Sequence, residues 1–336
     1  SNGTVSLEMI LRGLGIGYGE EVILPPYTFI ATLSSILFTG ATPVFADIDP
    51  ETYNICPNAV ESKITEKTRA IVAVAVGGCP PTLDKLTELA ERKSIHLIVD
   101  AAQAVGAKWN GKDIAGYGAA ASFSCQNSKN LNSGEGGIIT TNDDTLHRAI
   151  CSMLDGIHEK YFTDNNVTEF QSAILHTQLD KLDDEIIKRE RMAAYLDARL
   201  NQLPFVGPIK REKEVTVNAY HLYLMRFDSE KLAEKGLTRD IVLRAVYAEG
   251  IPVTGGYMPL YTFPCVKSDT IMRMTGRRID TTPLENCEKA SYREGAWLYQ
   301  SVLLSYSKGM DDIADALEKV WENAGELADR FGKEIM

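Results

Sequence analysis

Lys129 lies in S-F-S-C-Q-N-S-K-N-L-N-S-G-E-G-G, residues 122–137, between a short apolar segment and a glycine-rich turn. A lysine amine becomes a nucleophile when burial or a neighbouring charge lowers its pKa. Most lysines in polar loops are solvated surface groups, so Lys129 carries weight only if other residues act with it. Ser124 adds a hydroxyl to the same segment. Gly134, Gly136 and Gly137 let the backbone pass close to something bulky, where a Cβ would intrude. Asp100 ends the apolar run Ile95–Val99 and opens D-A-A-Q, residues 100–103. A carboxylate buried there needs a partner, which a protonated ring nitrogen, a helix N-cap or an ion pair would each supply. Asn2-Gly3-Thr4 opens the first helix with free backbone N–H groups, a hydroxyl and the positive helix end. That combination suits an anion, and simple N-capping accounts for the same residues.

The elements that must position these groups follow from periodicity. Helical spacing covers Ser6–Leu14, Phe29–Phe38, Pro57–Ile64 and Leu83–Arg92, and short apolar runs cover Glu21–Leu24, Thr42–Phe45, Ala70–Val76 and Ile95–Val99. Strands alternating with helices predict a mostly parallel sheet covered on both faces, with ligands beyond the strands' carboxyl ends. Asp100 sits at such an end. Glu169–Leu200 reads as one long helix with Phe170, Ile174, Leu179, Leu182, Ile186 and Leu196 along its apolar stripe. Ala219–Phe227 alternates like a strand, Arg239–Ala248 is helical, and a terminal helix carries Met310, Ile313, Leu317, Val320, Ala324 and Leu327. The expected architecture is a large α/β domain over 1–204 and a smaller α+β domain over 205–336.

The 336 residues carry 44% hydrophobic and 24% charged side chains, ordinary for a globular chain. A net charge of −11 disfavours nucleic acid or an anionic membrane as the main partner. The cysteines are scattered without zinc spacing, and no long apolar span occurs, so a cytoplasmic setting is expected. Asp47, Asp49, Asp143 and Asp144 resemble metal ligands, yet turn and capping roles suffice for all four. Gly13-Leu14-Gly15-Ile16-Gly17 follows a helix and precedes a strand, the reverse of a dinucleotide fingerprint. His221, inside a strand pattern, reads as a packed core residue. Residue 1 stands directly before Asn-Gly-Thr, and the chain is expected to lack an N-terminal arm.

Lys129, Asp100 and the Asn2–Thr4 cup are together what pyridoxal phosphate requires. In order along the chain come N-G-T at 2–4, G-A-T-P-V-F-A-D-I-D-P at 40–50 and V-D-A-A-Q-A-V-G-A at 99–107. S-K-N-L-N-S-G-E-G-G at 128–137, T-E-F-Q-S-A-I at 168–174 and G-I-P-V-T-G-G-Y-M-P-L-Y at 250–261 follow. This series resembles the DegT-like sugar aminotransferases, a pyridoxal-phosphate-dependent family with the aspartate-aminotransferase-like fold of type I. The resemblance implies that Lys129 forms the internal aldimine and shuttles a proton, while Asp100 pairs with the pyridinium nitrogen. It implies that Gln103 binds the ring hydroxyl oxygen, Phe29 stacks on the ring, and Gly3, Thr4 and Ser124 hold the phosphate. It further implies a homodimer with shared sites, in which Asn166 is the candidate phosphate ligand to the partner copy.

By the same resemblance, glutamate or glutamine would load the cofactor as pyridoxamine phosphate, which then aminates a ketosugar or ketocyclitol. The N-G-T and G-Y-x-P-L-Y segments incline towards ketocyclitols, with nucleotide-linked ketosugars as the rival. Family members that make an aminobenzoate, or dehydrate sugars with a histidine in place of the lysine, are alternatives; Lys129 speaks against the dehydratase. A catalytically silent cofactor-binding sensor or scaffold is a further alternative. Three departures from the family pattern stand out: Ala75-Val76-Gly77-Gly78 replaces His-x-Tyr-Gly, and is expected to enlarge or depolarise the site. Asp164-Asn165-Asn166 replaces Asn-aromatic-Arg, and Gly256 replaces a frequent His.

Overall fold

The short apolar runs form the central sheet, because strands buried on both faces cannot alternate with polar residues. The computed structural model describes residues 1–158, 161 and 163–331. In chain order the first half contains α1 (Gly3–Gly13), β1 (Glu21–Leu24), α2 (Ile30–Thr39), β2 (Thr42–Phe45), α3 (Pro57–Lys63) and β3 (Thr68–Val74). Then come α4 (Leu83–Lys93), β4 (His96–Asp100), β5 (Lys108–Trp109), β6 (Lys112–Asp113), β7 (Ala120–Ser124), β8 (Gly137–Thr140) and α5 (Asp144–Leu154). The main sheet has the order β2-β1-β3-β4-β7-β8, parallel except for antiparallel β8.

Alternation within each strand sorts its side chains between two cores. Val22, Leu24, Val72, Val74 and Ile98 pack with Leu7, Ile10 and Leu11 of α1 and Leu33 and Ile36 of α2. Ile23, Ile71, Ala73 and Leu97 pack on the other side with Val60 of α3 and Leu86 and Leu89 of α4. Helices on both faces leave the carboxyl ends of the strands as the open edge.

The second half contains α6 (Glu169–Leu200), β9 (Val206–Pro208), β10 (Val215–Val217), β11 (Leu222–Phe227), α7 (Ser229–Glu234), α8 (Arg239–Ala248) and β12 (Val253–Gly255). It ends with α9 (Asp269–Thr275), α10 (Glu285–Lys289), β13 (Gly295–Tyr299), α11 (Ser307–Glu322) and α12 (Ala324–Phe331). The antiparallel sheet β12-β13-β11-β9 shares a core with α6, α8 and α11, while β10 returns to pair with β5. The chain is thus a large domain with a mixed, mostly parallel sheet and a smaller C-terminal α+β domain.

Several boundaries differ from the expectation for local reasons. α1 starts three residues early because the Asn2 side chain caps Val5 N–H at 3.0 Å. The strand expected over Ala219–Phe227 begins at Leu222, since Tyr220 is left-handed at φ 49° and breaks the extended run. The single terminal helix divides at Asn323, whose φ of −98° and ψ of 22° close α11. α6 keeps its expected bounds, capped by Thr168 with Gln171, but its burial begins only at Leu182. Phe170, Ile174 and Leu179 are exposed. Among the acidic residues, Asp143 caps α5 and Asp49 closes a turn onto Glu51 and Thr52. Asp47 accepts the Asn286 and Cys287 amides that open α10.

Candidate active site

At the carboxyl edge of the main sheet lies a cavity of about 540 Å³, within the range of small-molecule sites. Gly3, Thr4, Phe29, Asp100, Gln103, Ser124 and Lys129 all line it. Gly3, Thr4 and Phe29 stand at helix starts and Asp100 and Ser124 at strand ends, while Gln103 and Lys129 lie in the loops that follow β4 and β7. Asn166 does not line it; that residue is exposed, beside Asn165, which accepts the Ser1 amine at 2.6 Å.

Asp100 ends β4 and is 4% exposed. Its carboxylate accepts the Thr32 hydroxyl at 2.8 Å and the Ala102 N–H at 3.2 Å. Burial raises this carboxyl from its ordinary value, against those two hydrogen bonds and the Lys129 charge. Lys129 is half-buried across the cavity, where burial lowers its amine and the Asp100 charge opposes the change. Among the described residues the amine makes no hydrogen bond or ion pair, while its loop is pinned by backbone. Cys125 and Asn127 N–H donate to Gly136 and Gly134, and Ser133 N–H donates to Cys125.

The glycines of that loop serve the protein more than a ligand. A Cβ on Gly137 would stand 2.4 Å from Ser6 Oγ and 2.5 Å from the Asn2 carbonyl, so α1 could not seat its first turn. A Cβ on Gly136 would lie 3.0 Å from the Cys125 Cβ. A Cβ on Gly3 would likewise lie 3.0 Å from the Ser124 Cβ. The close contact brings the hydroxyl of Ser124 beside the first-turn amides of α1, which lack intrahelical acceptors.

Of the two expectations for Ala75–Gly78, an enlarged or a depolarised site, the packing removes the first, since the segment does not line the cavity. A Cβ on Gly77 would meet Leu224 Cδ1 at 2.9 Å, and one on Gly78 would meet the Tyr220 N at 2.8 Å. β11 and its lead-in fill that space. Gly77 N–H instead reaches the Gln103 Oε1 at 2.8 Å. At position 256 the absence of a side chain also has a steric cause: a Cβ there would lie 2.3 Å from the Tyr27 hydroxyl oxygen.

The opposite wall holds His221, Leu222, Tyr257, Trp297 and Tyr299. His221 is a buried ring, as expected of a core residue, but it also faces the cavity. Burial, with the Lys129 and Arg189 charges, pushes it down to about 3, so it is neutral. His221 Nδ1 and Trp297 Nε1 are buried without a hydrogen-bond partner. Thr32, Trp297 and Tyr299 carried no signal in the sequence as site residues, since each meets the site through contacts with distant segments. Tyr257 stands in the G-Y-x-P-L-Y segment, which bears on the acceptor and not on a contact of its own.

These features suit pyridoxal phosphate. A buried carboxylate lacks a contacting cation, an unpaired amine faces it, and a tight glycine–serine cradle adjoins free helix-start amides. Phe29, 58% exposed at the cavity, has a free ring face.

The fold and this site define a chain of the aspartate-aminotransferase-like class, fold type I. The chain belongs to the DegT/DnrJ/EryC1/StrS aminotransferase family, whose model matches residues 1–277. It is 35% identical over 355 residues to the L-glutamine:2-deoxy-scyllo-inosose aminotransferase of Streptomyces fradiae, covering 98% of this chain and 82% of that one. It is 34% identical over 353 residues to the L-glutamine:scyllo-inosose aminotransferase of Streptomyces griseus, with the same coverage of 98% and 82%. The solved aminotransferase from Psychrobacter cryohalolentis superposes with a TM-score of 0.88 at 27% identity, over 96% of this chain and 86% of that one. Among the described residues no helix is long and apolar enough to cross a membrane.

Proposed function

We propose that this protein is a pyridoxal-phosphate-dependent aminotransferase that moves nitrogen from glutamine or glutamate to the ketone of a polyhydroxylated ring. The observation that carries the reading is the unpaired Lys129 amine facing the buried Asp100 carboxylate in one cavity. When bound, the cofactor supplies an electron sink and holds the transferred nitrogen as pyridoxamine phosphate.

Lys129 would hold the cofactor through its amine, which joins the cofactor aldehyde with loss of water, and its lowered basicity would suit it to carry a proton. Asp100 keeps the ring nitrogen protonated, which removes the cost of its own burial. Gln103 would donate to the ring oxygen, Phe29 would cover the ring face, and Gly3, Thr4 and Ser124 would bind the phosphate. A ketocyclitol is favoured as acceptor because relatives named for scyllo-inosose substrates match nearly the whole chain. The working unit is a homodimer with shared sites: Phe170, at 86% exposure, and its apolar neighbours on α6 need cover. In that dimer Asn166 would be the residue offered to the phosphate of the partner copy.

The test loads the protein with pyridoxamine phosphate and adds ketocyclitols, ketosugars or simple keto acids. Decay of the pyridoxamine absorption with a ring ketone is the expected result. Decay with simple keto acids alone would overturn the acceptor class.

A further inference from the structure

Gln103 connects the two walls of the cavity. Its amide oxygen accepts the Gly77 N–H at 2.8 Å. A backbone N–H only donates, so this bond fixes which end of the amide is oxygen. Nε2 therefore points the other way and donates to the Tyr257 hydroxyl oxygen at 2.7 Å. An amide nitrogen carries two protons and a phenol one. One Gln103 proton and the Tyr257 hydroxyl proton remain uncommitted, and neither has an acceptor among the described residues.

Packing sets the direction of that hydroxyl. The Tyr257 ring meets Tyr27 edge-on at 5.5 Å and leans on Trp297 at 4.6 Å. Burial pushes the phenol well up from its ordinary value, so it stays a donor at working pH. Both Tyr257 and Gln103 line the cavity that holds Lys129.

We propose that Tyr257 is a positioning residue that locks the Gln103 amide and offers its own hydroxyl proton, beside that of Gln103, to the ring oxygen of bound pyridoxal phosphate. This rests on the cofactor reading above. Once the proton between the Lys129 nitrogen and the ring oxygen leaves, the oxygen's negative charge is no longer shared with it. Two donors stabilise that charge better than one, so the proton leaves at lower pH.

The experiment is a spectroscopic pH titration of the holoprotein, following the visible absorption of the lysine-bound cofactor. Tyr257→Phe keeps the ring and removes only the hydroxyl. Tyr27→Phe removes a buried hydroxyl one ring away that does not line the cavity. The expected midpoint rises by at least about 0.5 pH unit in Y257F, a roughly threefold change in proton affinity, and stays put in Y27F. An unchanged midpoint in Y257F, or equal shifts in both variants, overturns the role of Tyr257 while leaving the cofactor reading intact. Wild-type protein that develops no visible band with added pyridoxal phosphate overturns both.

Discussion

The two walls of the cavity are built differently. One wall comes from residues 3–129 and consists of strand ends, helix starts and the loop after β7: Thr4, Phe29, Asp100, Ser124 and Lys129. It carries the charge, with an amine facing a carboxylate. The other wall comes from residues 221–299 and consists of rings on or beside an antiparallel sheet: His221, Tyr257, Trp297 and Tyr299. It is neutral, since His221 is held deprotonated. The charged wall sets two groups with shifted pKa values against each other, whereas the neutral wall offers hydrogen-bonding groups and apolar faces.

The comparison breaks first at Asp100. The Asp100→Asn variant is expected to lose roughly 10²–10³-fold in turnover, because a neutral amide cannot hold the ring nitrogen protonated. The cofactor-free protein should at the same time gain about 1 kcal/mol, since a buried carboxylate is removed. Steady-state rates and thermal unfolding check both; a less stable apo variant contradicts the burial cost. Its pH dependence has a definite sign. A raised carboxyl contributes stability that is fully present below its unfolded pKa and lost as pH rises through the folded value.

A smaller effect tests how the neutral wall is packed. Gly256→Ala should cost about 2 kcal/mol, because the new Cβ runs into a fully buried tyrosine hydroxyl. Adding Tyr27→Phe should recover part of that loss. A double-mutant cycle by denaturant unfolding measures the coupling, and additive losses would remove the steric explanation.

The smallest effect is at His221. Its lowered pKa favours the neutral ring, so its contribution is full above the unfolded value of 6.5 and lost as pH falls towards about 3. His221→Gln should flatten acid destabilisation by about 1 kcal/mol at roughly pH 5.5. The sign is opposite to that of Asp100, so the walls separate in an unfolding series against pH. Equal slopes in variant and wild type would mean that His221 is not held neutral by the fold.

The same contrast explains what the sequence disclosed. The charged wall was legible because each group sits at a local junction: Asp100 after an apolar run, Lys129 before glycines, Thr4 at a helix start. The mostly parallel sheet and the long α6 were legible from periodicity. The neutral wall was not, because Trp297 and Tyr299 alternate on a strand like any packed residues. The Gly77–Gly78 pair suggested added space, yet β11, well over a hundred residues downstream, fills it. Only the fold reveals such a contact. The break at Tyr220 likewise depends on a left-handed residue that no pattern of hydrophobicity marks.

The most direct test of the central claim is to reduce the cofactor-loaded protein with borohydride and locate the adduct by peptide mass spectrometry. The account predicts that the cofactor mass appears on the peptide holding Lys129 and vanishes in Lys129→Ala. An adduct on another lysine, or none at all with wild-type protein, would contradict it.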